Sequence, residues 1–419
     1  MTSNIMRLIV AGVVLVVDVS YAATKTPETS SLFEKFTDPG SGCVSYVLRP
    51  GCVGYHQQSW YFTQKSMTDD GRYLFFNVLP DERVTGQRRM RESGLLQAKW
   101  YVDFAADRIR PLRIHGIKSY SLDVRNNRLW FIKESWVAYH DLGGDPTNIT
   151  PVCKMPATLS VPGKAISYYC SHLTFNADHT KLFLDTGFDD ERDTSEYWQG
   201  MLNLGTGVYE NWTKTDFCVN HGQICPADDT LGLAAWEGCW MKKIVENGVK
   251  KWVSRPGSEV YPRLWLFRKG EKTMIPAKAV NYATHEHWAE DGKSFYWCSG
   301  KGIYSHDIAT GKQTCCSPLP AAHADMTADN RYIVFDWSPD WYRGCAWRVC
   351  FYNRDTGKHL YFHSDIPALC PKESPSFLHP DPHPQFVRNG QYIVSTLNGP
   401  DGRMSVAVTP TAQLRERTK

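Results

Sequence analysis

The chain has 419 residues, a net charge of +3 and 13 cysteines, with 15 Trp and 21 Tyr. So small a charge surplus excludes the basic face of a nucleic-acid binder. The aromatic content fits either strand-rich cores or surfaces that stack sugar rings.

Residues 1–22 read as a secretory signal: Arg7 in a short n-region, an apolar run from Leu8 to Val17, and Ser20-Tyr-Ala22 before Ala23. The apolar run is shorter than the roughly 20 residues of a membrane span. The expectation is an exported chain, periplasmic or secreted, without a membrane span. All the cysteines follow the signal, which suits an oxidising compartment. Cys43/Cys52, Cys218/Cys225 and Cys345/Cys350 are close enough in sequence to be disulfide candidates, although spacing alone does not decide pairing.

From there one unit recurs: a polar Asp-Gly-like corner followed by an apolar strand. Its copies are Thr68–Phe76, Arg125–Ile132, Asn176–Leu184, Pro226–Leu233, Ala289–Tyr296, Thr327–Val334 and Val387–Val394. A period of roughly 40 to 60 residues built from strands is the mark of a radial repeat, not of a solenoid with short regular coils. Turns of the form Asp307-Ile-Ala-Thr-Gly311 and Asp355-Thr-Gly357 suit the links between outer strands. The expectation is an all-β chain in which residues 23–419 form a single seven-bladed β-propeller domain. The strand Cys43–Leu48 precedes the first copy, and it is expected to pair into the last blade and close the ring.

In a propeller the innermost strands all start beside the central channel. The residues just before each corner motif therefore gather around one pocket. Five of those seven positions are histidines: His172, His221, His285, His323 and His383, out of 14 in the chain. His379, Asp381 and His383 alternate along an extended segment and share one side of it. His287 lies two residues beyond His285 and is expected to point inward as well. Imidazoles with a carboxylate suit an open divalent-metal site. Arg343 and Arg348, in or beside the long Trp337–Arg348 insert, are expected to fold over the pocket and meet substrate carboxylates.

The same segments resemble the oligogalacturonate lyase family. Tyr282-Ala-Thr-His-Glu-His-Trp288 with Asp291-Gly is similar to its S-x-T-H-E-F-W-x-x-D-G segment, and His379-Pro-Asp-Pro-His-Pro-Gln-Phe386 to its Q-x-x-H-P-H-P-x-F segment. Asn220-His-Gly-Gln-Ile-Cys-Pro226 with Trp236-Glu-Gly238 resembles its G-H-P-I-Y-R-P and C-H-E-G-P pair. Ala322-His-Ala-Asp-Met326 and Phe62-Thr-Gln-Lys65 complete an ordered set. The resemblance implies a seven-bladed propeller that splits uronide linkages by β-elimination with Mn²⁺. It also implies that His285 and His383 are metal ligands and His221 the catalytic base. Asp381 stands where the family has the first His of H-P-H, and Leu378 where it has a glutamine ligand. Asp381 and His379 are the expected replacements, and their donor set leaves Ca²⁺ and Mg²⁺ open beside Mn²⁺. Trp198 falls near the family's catalytic arginine, and Trp236 replaces a histidine.

The expected partner is thus an acidic oligosaccharide, contacted by His172, Trp236, His323 and Arg343; oligomeric state is left open. Two alternatives stay in view: a lyase for another uronide, and a non-catalytic propeller resembling TolB. A prolyl-oligopeptidase-type peptidase is excluded, because no G-x-S-x-G elbow is present and the repeats leave no room for its second domain.

Overall fold

The computed structural model describes residues 24–49, 52–53, 56–79, 98–145, 147–189, 196–239, 241–246, 249–254, 261–277, 283–339, 346–366, 381–399 and 403–419. Its strands form seven antiparallel sheets of four or five strands, plus one two-stranded hairpin. Each corner motif leads into the second strand of its blade: Tyr73–Leu79, Arg128–Lys133, Lys181–Asp189, Asp228–Trp236, Ser294–Ser299, Tyr332–Trp337 and Tyr392–Asn398. The repeat read from the sequence is therefore the bend between the first and second strands, and the fold is a seven-bladed β-propeller.

The strand Val44–Leu48 pairs antiparallel with Met404–Pro410, as Tyr46↔Val408 and Val47↔Ala407, and so closes the ring inside blade seven. A second N-terminal strand, Phe33–Thr37, adds a fifth member outside it. A short helix, Thr411–Arg417, follows the last strand. No helix among the described residues is long and apolar enough to cross a membrane. The signal segment lies outside the described residues.

The apolar core is divided among the seams between blades. Seven clusters of buried side chains occur, one at each seam, from the blade one–two pair (Trp60, Phe75 with Leu129, Phe131) to the blade seven–one pair (Val394, Val406 with Leu74, Phe76). Apolar alternation on both faces of each sheet feeds two seams at once, which is why a strand needs no helix to cover it.

Neither of the two cysteine pairs within the described residues forms. Cys43, Cys52, Cys218 and Cys225 are all free, and Cys345 lies outside the described residues. Cys218 and Cys225 bracket the strand Val219–Cys225. At about 3.3 Å per residue this strand keeps the two sulfurs much farther apart than the ~7 Å Cα limit of a disulfide. Cys43 and Cys52 similarly lie at opposite ends of the hairpin that pairs Thr37 with Val44 and Phe33 with Leu48.

Candidate metal centre and base

The five histidines meet. Tyr61, from blade one, stands among them, its ring centroid 5.6 Å from His172, 6.0 Å from His221, 6.2 Å from His285, 5.9 Å from His323 and 5.0 Å from His383. Burial, and then the charge of Glu286, push its phenol well above the usual tyrosine range. Phe62 is fully buried and packs against His285, His287 and His323. Neither Tyr61 nor Phe62 was singled out for the pocket from sequence, because blade one carries no histidine just before its corner motif.

Backbone geometry aims the rings. His221, His285 and His383 have φ of 58°, 55° and 44°, the left-handed region that side chains other than glycine seldom adopt. For His221 and His285 the register shifts at this point, between Asn220 and Gln223 and between Thr284 and His287. Such a bulge re-aims a side chain without ending the strand.

Two buried aspartates at equivalent places in their blades hold these strand starts. Asp185 accepts the N–H groups of Ser171 (2.8 Å) and Gly222 (3.1 Å), each one residue from a pocket histidine, His172 or His221. A Cβ at Gly222 would lie 2.6 Å from the Asp185 carboxyl carbon, so the close approach requires glycine. Asp336 accepts the N–H groups of His323 (2.9 Å) and His383 (3.0 Å), and also binds His323 Nδ1 at 3.0 Å. Burial raises both carboxyls, Asp185 to about 6 and Asp336 to about 8; for Asp336 the His383 charge opposes the rise and Asp381 adds to it.

Donor atoms of His323, Asp381 and His383 all lie within 4.8 Å of one another. The three residues are 2%, 3% and 7% exposed. His383 Nε2 lies 3.5 Å from Asp381 Oδ2. Asp336 engages His323 at Nδ1, so Nε2 is the ring atom that would serve a cation, with an acidic side chain behind the imidazole as metal-ligand histidines commonly have. Two imidazoles and one carboxylate fit a divalent cation such as Mn²⁺, with coordination positions left for substrate. His285 is next to this group, its ring 4.0 Å from that of His323 and its Nδ1 2.5 Å from the Ala322 carbonyl oxygen. Burial, and then the neighbouring His323 and His221, hold its imidazole well below the usual range. His379 lies outside the described residues.

The opposite side is built around charge pairs. His221 Nδ1 is 3.0 Å from Glu286 Oε1, and Arg263 Nε donates to Glu286 Oε2 at 3.1 Å. Arg263 also donates from a terminal nitrogen to Glu237 Oε2 at 3.0 Å. Glu286 is fully buried and Arg263 2% exposed. Although burial works the other way, the Arg263 charge and the His221 hydrogen bond hold the Glu286 carboxyl far below its ordinary range. His172 stacks on His221 at 5.1 Å, and burial lowers its imidazole to about 3. It is a neutral ring beside His221.

Other sequence expectations land elsewhere. His287 has its Nδ1 3.0 Å from Gln223 Oε1, linking blades four and five, and packs on Phe62; burial lowers its imidazole to about 4. Trp236 is half-buried and packs tilted against Phe217, ring centroids 4.6 Å apart. Trp198 donates to Glu196 and is covered by the Lys214 ammonium, 4.1 Å from its ring. Arg343 lies outside the described residues. Arg348 does not cover the pocket; its guanidinium sits 4.6 Å over Tyr361 in the outer strand of blade six, where cation–π contact holds it.

Comparison with known proteins adds the fold. Among solved structures the chain is similar to an oligogalacturonate lyase in complex with manganese, at 18% identity and a TM-score of 0.66, over 91% of this chain and 97% of that one. An oligogalacturonate lyase from Vibrio parahaemolyticus gives 17% identity and a TM-score of 0.67, over 92% and 98%. The likeness is one of fold. No family profile matches the chain, and no curated protein does.

Proposed function

We propose that this chain is an exported, metal-assisted lyase that cleaves uronic-acid oligosaccharides by β-elimination. The observation that carries the reading is the pairing, around Tyr61, of a His–Asp–His metal trio with a histidine whose Nδ1 is held by a carboxylate. The fold likeness to oligogalacturonate lyases supports it.

Asp381, His383 and His323 would hold the cation, with His285 beside them and His379 as a further candidate. A bound divalent cation supplies charge neutralisation on the uronate carboxylate, which makes the proton at C5 removable. His221 takes that proton. The electron pair forms the C4–C5 double bond, the C4–O4 bond breaks, and the leaving oxygen takes a proton from solvent water. Imidazole suits this work because its unperturbed pKa lies near neutrality. In this reading His323 moves from substrate contact to metal ligand, and His172 remains a neutral wall beside the base. Trp236 and Arg343 stay candidates for contacts farther along the sugar chain.

The lysine-capped Trp198 and the carboxylate ligand Asp381 favour a uronide other than the family's usual substrate. Purified protein should therefore be offered a panel of uronides, with Mn²⁺ and with EDTA, while the ultraviolet absorbance of the unsaturated product is followed. Product on at least one uronide, abolished by EDTA, is the expected result. Silence on every uronide with metal supplied would sink the lyase reading.

A further inference from the structure

Glu286 touches His221 at Nδ1, and its geometry fixes more than position. One of its oxygens faces Arg263 Nε (3.1 Å) and the other faces His221 Nδ1 (3.0 Å). An arginine Nε–H can only donate, and an ionised carboxylate can only accept. The proton on the Glu286-facing side of the imidazole must therefore sit on Nδ1, and the lone pair of the neutral ring must sit on Nε2. A terminal nitrogen of Arg263 also lies 3.5 Å from Nδ1. That contact sets donor against donor once Nδ1 carries its proton, so Glu286 supplies the acceptor.

We infer that Glu286 and Arg263 are positioning residues that lock His221 in the Nδ1–H tautomer and so present Nε2 as the base. Glu237 completes the device by taking another N–H of the guanidinium at 3.0 Å, which stops the guanidinium from turning away from Glu286. The charges also match the chemistry. Two carboxylates and one guanidinium leave one net negative charge beside His221, ready to offset the imidazolium that forms when the ring takes a proton. The role is that of the buried carboxylate behind the histidine of a hydrolase triad, reached here on an unrelated fold. Its catalytic consequence rests on the proposal that His221 is the base; the tautomer itself does not.

The test is Glu286→Gln. Arg263 Nε–H will keep the amide oxygen, which turns the amide NH₂ toward His221 Nδ1 and forces the proton to Nε2. On that ground kcat should fall by about 10³-fold or more, as wrong-tautomer substitutions do elsewhere, while KM and bound metal stay near wild type. Glu286→Asp keeps an acceptor, and is expected to keep the Nδ1–H tautomer and recover much of the rate. The ¹⁵N shifts of His221, assigned against His221→Ala, report the tautomer without any substrate. If no uronide is cleaved even by the wild type, the lyase reading fails while the tautomer measurement still decides this inference. Wild-type protein with His221 protonated at Nε2, an unchanged tautomer in Glu286→Gln, or equal rate losses in the Gln and Asp variants would overturn it.

Discussion

The two sides of the pocket use one structural device for two purposes. At blades three and four, buried Asp185 ties the strand starts that carry His172 and His221; at blades six and seven, buried Asp336 ties those that carry His323 and His383. The surroundings then diverge. On the first side a carboxylate next to histidine is answered by Arg263, so its charge is already satisfied within the protein. On the second, Asp381 faces His383 and His323, a donor set that suits a divalent cation. In the proposed reading the same stapled backbone serves a base on one side and a cation receptor on the other.

If this division is right, the sides should respond separately to substitution. His383→Ala should weaken Mn²⁺ binding by more than the ~10–100-fold that loss of a supporting residue costs, measured by calorimetry on metal-free protein. Asp336→Asn removes the carboxylate behind His323 and should fall within that ~10–100-fold range, with His221 chemistry unaffected when metal is saturating. Gly222→Ala pushes on Asp185 at 2.6 Å and should cost about 1–3 kcal/mol in urea unfolding, as overpacking does. It should also lower kcat by moving His221 while metal affinity is kept; loss of metal affinity would break the division.

The smallest effect expected is a pH dependence. Burial raises Asp185 from 3.8 to about 6, so the fold disfavours its charge. A raised carboxyl stabilises the fold fully below its unfolded pKa, and that contribution is lost as pH rises through the folded value. Wild-type stability should therefore decline relative to Asp185→Asn between about pH 4 and 6, by a few kcal/mol at most. Parallel unfolding curves across that range would contradict the assignment.

The sequence showed the ring more clearly than the pocket, and for a physical reason. A repeat converts sequence period into proximity, so the five histidines could be brought together, and Val44–Leu48 placed in the last blade, without coordinates. Alternation carried the rest only until a bulge. At His285 the backbone turns left-handed, and Glu286, a residue between two histidines, ends beneath His221 instead of on the far face. Arg263 comes from the third strand of blade four, 42 residues beyond His221, where no local spacing connects them. What the sequence offered was a break in pattern: Arg263 at the head of the apolar run Leu264–Phe267, and Asp336 directly after Tyr332–Phe335. A charge inside an apolar strand needs a partner, and here each has one at the site. The cysteines misled because closeness along the chain was taken for closeness in space, which an extended strand denies.

The claim that base and cation receptor are distinct can be tested on three samples: wild type, His221→Ala and Asp381→Ala, each assayed for bound Mn²⁺ and for uronide elimination. The division predicts that His221→Ala keeps its manganese and forms no product, while Asp381→Ala loses both. Loss of manganese in His221→Ala, or full manganese in Asp381→Ala, would contradict it.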